Sequence, residues 1–232
     1  MSFETVYNVK LHCQSCVNSV KDALSGIPGV SKFDIDFENQ RVSVEGSEAP
    51  SNIIKAIQNT GKDAIIRGTG KPNSAAVAIL ESFNPEDNLA PVKGLARIVA
   101  TNDESLLVDI TLDGLDQGTY YPSFRASGNI SQGAESTGGS LFDFKPVTVA
   151  SPLNDGTGLF SGQSFQSAPL KITDLIGRGF IVTKDNTLTK SSLAGVVARS
   201  AGVWENDKQV CSCSGKTIWQ ERTDAHNHGL QV

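Results

Sequence analysis

The four cysteines of this chain fall into two close pairs, Cys13 with Cys16 and Cys211 with Cys213, and none stands between residues 17 and 210. Two thiols one residue apart sit near the limits that a disulfide's Cα separation tolerates, so a bond between Cys211 and Cys213 would be strained and readily reduced. Such a pair suits transfer chemistry better than cross-linking. It could hold a soft metal through two thiolates, or attack a partner's cysteine and then resolve the mixed disulfide. The Cys13-Gln14-Ser15-Cys16 spacing allows the same two chemistries. Pairing of every cysteine at short range points to metal or redox work in a reducing compartment rather than to a disulfide framework. Simple burial would give no reason for the pairing.

The elements around the first pair place it. Tyr7, Val9 and Leu11 alternate with Asn8 and Lys10 as a strand with one buried face. Val17, Val20 and Leu24 then recur at helical spacing, which sets Cys16 in the first turn of a helix. There the free N–H groups and the positive dipole end favour thiolate. Gly26 and Pro28-Gly29 end that helix. Phe33, Ile35 and Phe37 predict a second strand, Asn39-Gln40 a turn, and Val42 with Val44 a third strand. A helix follows Pro50 with Ile53, Ile54 and Ile57, stops at Gly61, and Ala64-Ile65-Ile66 form the last strand. The order βαββαβ is the ferredoxin-like arrangement, with the thiols between the first strand and first helix.

A chain of 232 residues with 38% hydrophobic content is long enough for two compact domains and a tail. A net charge of -5 without a basic cluster argues against nucleic acid as a partner. No apolar run approaches the ~20 residues that span a bilayer, so no stable membrane insertion is expected, and the chain reads as soluble and cytoplasmic. Gly68 to Ser74 has linker composition, and we expect domains at 1–70 and 71–202 with a segment at 203–232. Beyond the linker, Ala75 to Ser82, Leu95 to Ala100 and Leu106 to Leu112 read as strands. The last alternates Leu106, Val108, Ile110 and Leu112 against Leu107, Asp109 and Thr111. Short strands with turn signals such as Leu112-Asp113-Gly114 predict a Greek-key sandwich or barrel. Ala126 to Gly139 reads as an extended loop, and the isolated Asp and Glu residues of this domain read as solvated surface.

Residues 1–70 resemble the heavy-metal-associated domains of copper chaperones and copper-transporting ATPases. Their Met-x-Cys-x-x-Cys motif stands here as Leu11-His12-Cys13-Gln14-Ser15-Cys16, with both ligands kept and Met replaced by Leu11. The resemblance implies Cu(I) bound by Cys13 and Cys16. Lys62, in the loop before the last strand, would offset the negative charge of a bis-thiolate Cu(I) site, or is an ordinary solvated lysine. His12 reads as an exposed loop side chain. A thioredoxin-like site lies in a different context, and a structural zinc site lacks a second ligand pair.

Residues 71–202 resemble Cu,Zn superoxide dismutase in four ordered stretches: Ala90 to Leu95, Gly114 to Gly118, Leu175 to Val182 and Leu193 to Ala198. Yet this segment holds no histidine, and the first His-x-His pair of that family would fall near Ser123 and Arg125. The family's disulfide cysteines are missing, and its long charged loop is shortened to Lys184 through Ser192. The resemblance implies a metal-free copy that docks to the true enzyme through an interface of the same type.

The last segment is too short for its own core and predicts a flexible tail, with a reach of ~30 Å when extended or ~17 Å on average from Gly202 to Cys211. Trp204 and Trp219 could anchor it. His226 and His228 could complete a zinc site with Cys211 and Cys213, although a frayed terminus reads better.

Taken whole, the chain resembles the family of copper chaperones for Cu,Zn superoxide dismutase in its fungal form. The fold class expected is multidomain α+β: a ferredoxin-like domain, an all-β Greek-key barrel and a short flexible tail. The resemblance implies a non-enzymatic metallochaperone that takes Cu(I) on Cys13 and Cys16 and forms a heterodimer with Cu,Zn superoxide dismutase. It would insert copper and promote the client's disulfide through Cys211 and Cys213. It leaves a homodimer open, and work in the mitochondrial intermembrane space in addition to the cytoplasm. A thiol-disulfide oxidoreductase without copper, or a metal buffer without delivery, are the competing classes.

Overall fold

The computed structural model describes residues 2–87, 90–206 and 208–227. The first body runs β1 (Phe3–Val9), α1 (Gln14–Ser25), β2 (Val30–Asp36), β3 (Arg41–Gly46), α2 (Pro50–Gln58) and β4 (Ala64–Thr69). Its antiparallel sheet has the order β2-β3-β1-β4, and both helices pack on one face. Cys16, Val20 and Leu24 lie four residues apart along α1, so all three point into that layer. There they meet Tyr7, Val9, Val42 and Val44 of the sheet and Ile53 and Ile57 of α2. Pro50 starts α2 with its φ already helical, and Gly61 at φ +79 turns the chain out of it.

The second body comprises β5 (Ala75–Glu81), β6 (Val92–Asn102), β7 (Ser105–Leu115), β8 (Gly118–Arg125), β9 (Ser131–Ala134), β10 (Ser140–Asp143), β11 (Val147–Pro152) and β12 (Phe160–Ala168). After the short α3 (Ile172–Leu175) come β13 (Gly179–Lys184), β14 (Leu193–Val196) and β15 (Ala198–Arg199). Eight strands close on themselves in the order β8-β11-β12-β7-β6-β5-β14-β13, because β13 pairs back onto β8. Closure removes the open edges that an antiparallel sheet would otherwise show. The interior is filled by alternate residues, among them Leu106, Val108, Ile110 and Leu112 of β7, with Phe124 and Phe180 meeting edge-on at 4.9 Å.

Three expectations are corrected. The stretch 126–139 is not a plain loop: β9 forms within it, because Ala134 packs with Ile181 and Ala194 under the barrel wall. The polar side of β7 is not solvated at Asp109, which is buried where α2 crosses the barrel. The tail is not a free chain. Val210 pairs with Thr217, and α4 (Ile218–Asn227) follows.

The two bodies touch along α2 and β4. Asp109 accepts hydrogen bonds from the Ser51 N–H at 2.9 Å and its hydroxyl at 2.7 Å, and Arg97 stands 3.9 Å away. The segment 68–74 is pinned rather than loose. The Thr69 N–H donates to Ala201 O at 3.1 Å and the Gly70 N–H to Glu4 O at 2.7 Å. A Cβ on Gly68 would fall 2.2 Å from the Gly202 carbonyl oxygen, so only glycine lets the returning chain lie so close. Among the described residues no helix is long and apolar enough to cross a membrane.

Candidate metal-binding thiols

Cys13 occupies the N-cap of α1 in extended conformation, and its carbonyl accepts from the Cys16 N–H at 3.0 Å and the Val17 N–H at 3.4 Å. That geometry leaves the Cys13 thiol outside the helix and exposed, while Cys16 sits in the first turn and is buried. The two sulfurs lie 3.5 Å apart. The Ser15 hydroxyl, 3.0 Å from Cys13 Sγ, together with the Cys16 N–H and thiol, lowers the Cys13 thiol to about 7. Hydrogen bonds to a sulfur at a helix N-terminus favour thiolate, the form that binds metal.

What holds the loop was not found from sequence. Gln40, in a left-handed turn at φ +58, accepts from the Leu11 N–H at 2.8 Å and donates to Leu11 O at 2.6 Å. Leu11 itself is buried in the core. The Cys loop is therefore anchored by a side chain below it and by an amide beside it. At a metal–sulfur bond of ~2.3 Å, as in thiolate sites, a linear two-sulfur site needs ~4.6 Å between sulfurs. A metal held between both thiolates in that way would need the sulfurs further apart than the observed 3.5 Å. Cys13 can make that movement, because it lies outside the helix, whereas Cys16 is fixed by packing.

The second pair lies in a tight turn. The Cys211 N–H donates to Lys216 O and the Gly215 N–H to Cys211 O, both at 2.9 Å, with Gly215 at φ +69. The backbone N–H and hydroxyl of Ser214 lower the Cys211 thiol below its ordinary value, while nearby Glu221 opposes them. Ser214 also donates to Glu221 at 2.6 Å and so ties the turn to α4. Cys211 is half-buried and Cys213 is exposed.

This turn is mounted on the first body rather than dangling from the barrel. The Asn8 amide donates to Gln209 at 3.1 Å, Lys10 lies over the Trp219 ring at 4.5 Å, and Arg41 lies 5.9 Å from the centroid of the Trp204 ring. Arg222 donates to Asp63 from Nε at 3.2 Å and from Nη2 at 3.3 Å. Of the two tryptophans expected to anchor the tail, Trp219 lies under Lys10, whereas Trp204 is 54% exposed. Lys62 is half-buried beside Asp63, and His12 is exposed.

The sequence-based zinc alternative is not supported. His226 lines the cleft between the bodies with Arg97, Asp113 and Arg222, and His228 lies outside the described residues. Burial, then the charge of Arg222, lowers the His226 imidazole. Among the described residues no three His, Cys, Asp or Glu side chains gather as a metal cage. At the positions of the missing His-x-His pair, Ser123 is buried on β8, and Arg125 donates to Thr137 Oγ1 at 3.3 Å and to Gly138 O.

Comparison with known proteins matches the model of the heavy-metal-associated domain to residues 6–63. Over 99% of its length the chain is 54% identical to the superoxide dismutase 1 copper chaperone of Debaryomyces hansenii, covering 98% of that protein. It is 45% identical to the protein of the same name from Saccharomyces cerevisiae, over 97% of this chain and 96% of that one. Among solved structures, the copper(I)-loaded first domain of the human copper chaperone for SOD1 is 28% identical over 30% of this chain and 99% of that one, at a TM-score of 0.29.

Proposed function

Since the chain belongs to the family of superoxide dismutase 1 copper chaperones, we propose that it takes up Cu(I) on Cys13 and Cys16 and delivers it to a Cu,Zn superoxide dismutase. It is a metallochaperone rather than an enzyme, and copper is its cargo. One observation carries the reading: two sulfurs 3.5 Å apart at a helix N-terminus, one exposed and shifted toward thiolate, the other held in the core. Soft, low-coordinate Cu(I) suits such a pair.

The barrel is the docking body in this reading, and residues 71–202 form the unit that carries the docking face. Ile79 of β5 is 51% exposed, and Phe83 stands exposed just beyond that strand. Gly133 lies under the Phe83 ring, and a Cβ on Gly195 would fall 1.9 Å from the Ile79 carbonyl oxygen. An apolar stripe bounded by glycine backbone suits a flat, two-fold contact with a partner of the same fold, either a dismutase subunit or a second copy of this chain.

Cys211 and Cys213 act last in this reading. Copper passes to the client, and the pair in its disulfide form is attacked by a client thiolate. The mixed disulfide is displaced by the client's second thiolate, leaving the client oxidised and Cys211 and Cys213 reduced. Dioxygen takes the two electrons and two protons when the pair is reoxidised, leaving as hydrogen peroxide. The same chemistry in the cytoplasm and the mitochondrial intermembrane space would serve clients in both.

The test is the intact mass of a reduced, copper-free Cu,Zn superoxide dismutase after incubation with this protein loaded with Cu(I), in oxygen and with a competing Cu(I) chelator. Gain of one copper and loss of two hydrogens is expected. Loss of hydrogens without copper would favour an oxidoreductase, and an unchanged mass would overturn delivery.

A further inference from the structure

The sheet of the first body has a helix-covered face and an outer face, and the outer face carries Asn8, Lys10, Arg41 and Arg67. In an isolated domain these groups would meet water. Here Asn8 and Arg67 are buried. What covers them is the tail. Arg67 donates to Asn206 O at 3.0 Å and to Lys208 O, Asn8 holds Gln209, and Lys10 and Arg41 lie against Trp219 and Trp204.

The way this cover is held differs from the way a core is held. Helix α4 buries none of its residues fully, so little hydrophobic free energy fixes it, and its position depends on a few polar contacts. One of them is the two-point pair between Arg222 and Asp63, in which the Arg222 side chain is 10% exposed. Asp63 belongs to the loop before β4 and follows Lys62. At the other end, the chain leaves the barrel through a strained turn. Trp204 has φ +66, unfavourable for a bulky side chain, and the turn is closed by Glu205 accepting from the Gly202 N–H at 2.7 Å.

A short helix without a core, held at one end by an ion pair and joined at the other through a strained turn, is built to detach. We propose that the outer sheet face is a docking surface for residues 203–206 and 208–227 of this chain, closed by an Asp63–Arg222 latch. The tail thiols are parked there in the free protein and are released when the barrel engages its partner. Cys211 and Cys213 then stay on the outer sheet face of the first body until docking. The release step rests on the barrel being the docking body proposed above; the parked state does not.

The test uses the full chain without copper and follows amide hydrogen exchange in residues 218–227. Arg222→Glu and Asp63→Arg, made singly, should each speed exchange there about tenfold, since loss of a partly buried pair and its replacement by repulsion add. The double variant, with the charges swapped, should return exchange to within about twofold of the parent. In a Trp204→Phe background, acrylamide quenching of Trp219 should rise and fall with the same variants. Unchanged exchange in both single variants, or failure of the swap to restore it, would overturn the latch; the swap also separates a latch from simple misfolding. A second arm adds reduced, metal-free Cu,Zn superoxide dismutase and measures association by size exclusion. Faster exchange of α4 in the complex supports release, and unchanged exchange in a formed complex overturns it. Absence of a complex sinks the docking reading and the release step together, while the parked state is judged by the client-free arm alone.

Discussion

The side-chain amide of Gln40 is bonded at both ends to the backbone of Leu11, accepting from its N–H at 2.8 Å and donating to its carbonyl at 2.6 Å. This clamp fixes the chain two residues before Cys13, so it sets where the loop carrying the exposed sulfur begins. Gln40→Gly keeps the left-handed turn at φ +58 accessible and removes only the amide. The variant should fold, and its Cu(I) affinity should fall by about tenfold, the usual cost of losing an outer support of a metal ligand. Competition against a Cu(I) chelator measures it, and unchanged affinity would show that Leu11 packing alone holds the loop.

The thiol chemistry of the first pair should titrate near neutrality. With Cys13 lowered to about 7, chiefly by the Ser15 hydroxyl, its alkylation rate at limiting iodoacetamide should rise through pH 7 and level off above. Ser15→Ala removes the leading cause, so the midpoint should move toward the ordinary thiol value and the rate at pH 7 should drop several-fold. A midpoint that stays near 7 would assign the shift to the Cys16 N–H and the helix end instead.

Asp113, half-buried in the cleft between the bodies, has its carboxyl raised to about 6 by desolvation, against the opposing charges of Lys55 and Arg97. The folded protein then holds this proton more tightly than the unfolded chain does. Between pH 4 and 6 the folded state binds more protons, so this group makes stability fall as pH rises through that window and level off above it. Asp113→Asn should remove that slope and stabilise the protein at pH 7 by about 2 kcal/mol. Urea unfolding at pH 4.5 and pH 7 tests both statements.

Asp109 joins the two bodies through Ser51 and balances Arg97 at 3.9 Å. Burial pushes its carboxyl up, while Arg97 and Ser51 oppose the shift. Asp109→Ala leaves Arg97 without its counter-charge in a closed site, which should cost about 3 kcal/mol or more. Replacing both by apolar residues of similar size should recover most of the loss. Thermal unfolding of the Asp109 single variant, the matching Arg97 single variant and the double variant checks this, and a fully additive double variant would show that the two charges act independently.

Much of this protein was legible as text because its signals are local. Strand alternation, four-residue helical spacing, Pro50 at a helix start and Gly61 at its end gave the βαββαβ order, since each depends only on neighbours along the chain. The placement of Cys16 in the first turn of α1 followed from the same spacing, and the four ordered stretches pointed to the barrel. The readings that failed were of another kind. Asp109 looked like the solvated side of a strand, Ala126 to Gly139 like a loop, and residues 203–227 like a free tail. Each is decided by a segment distant in sequence that covers it: α2 over Asp109, Ala194 and Ile181 beside Ala134, the outer sheet face beneath the tail.

The sequence by itself therefore determined the two thiol pairs, the elements that present the first pair, and a β body without the histidines of the enzyme it resembles. Periodicity and residue type are enough for that. Only the tertiary structure decided that Gln40 holds Leu11, that Asp63 meets Arg222 across 159 residues, and that the second pair rides on the first body. Those contacts join polar side chains with no periodic signature, and their partners are set by how two folded surfaces meet.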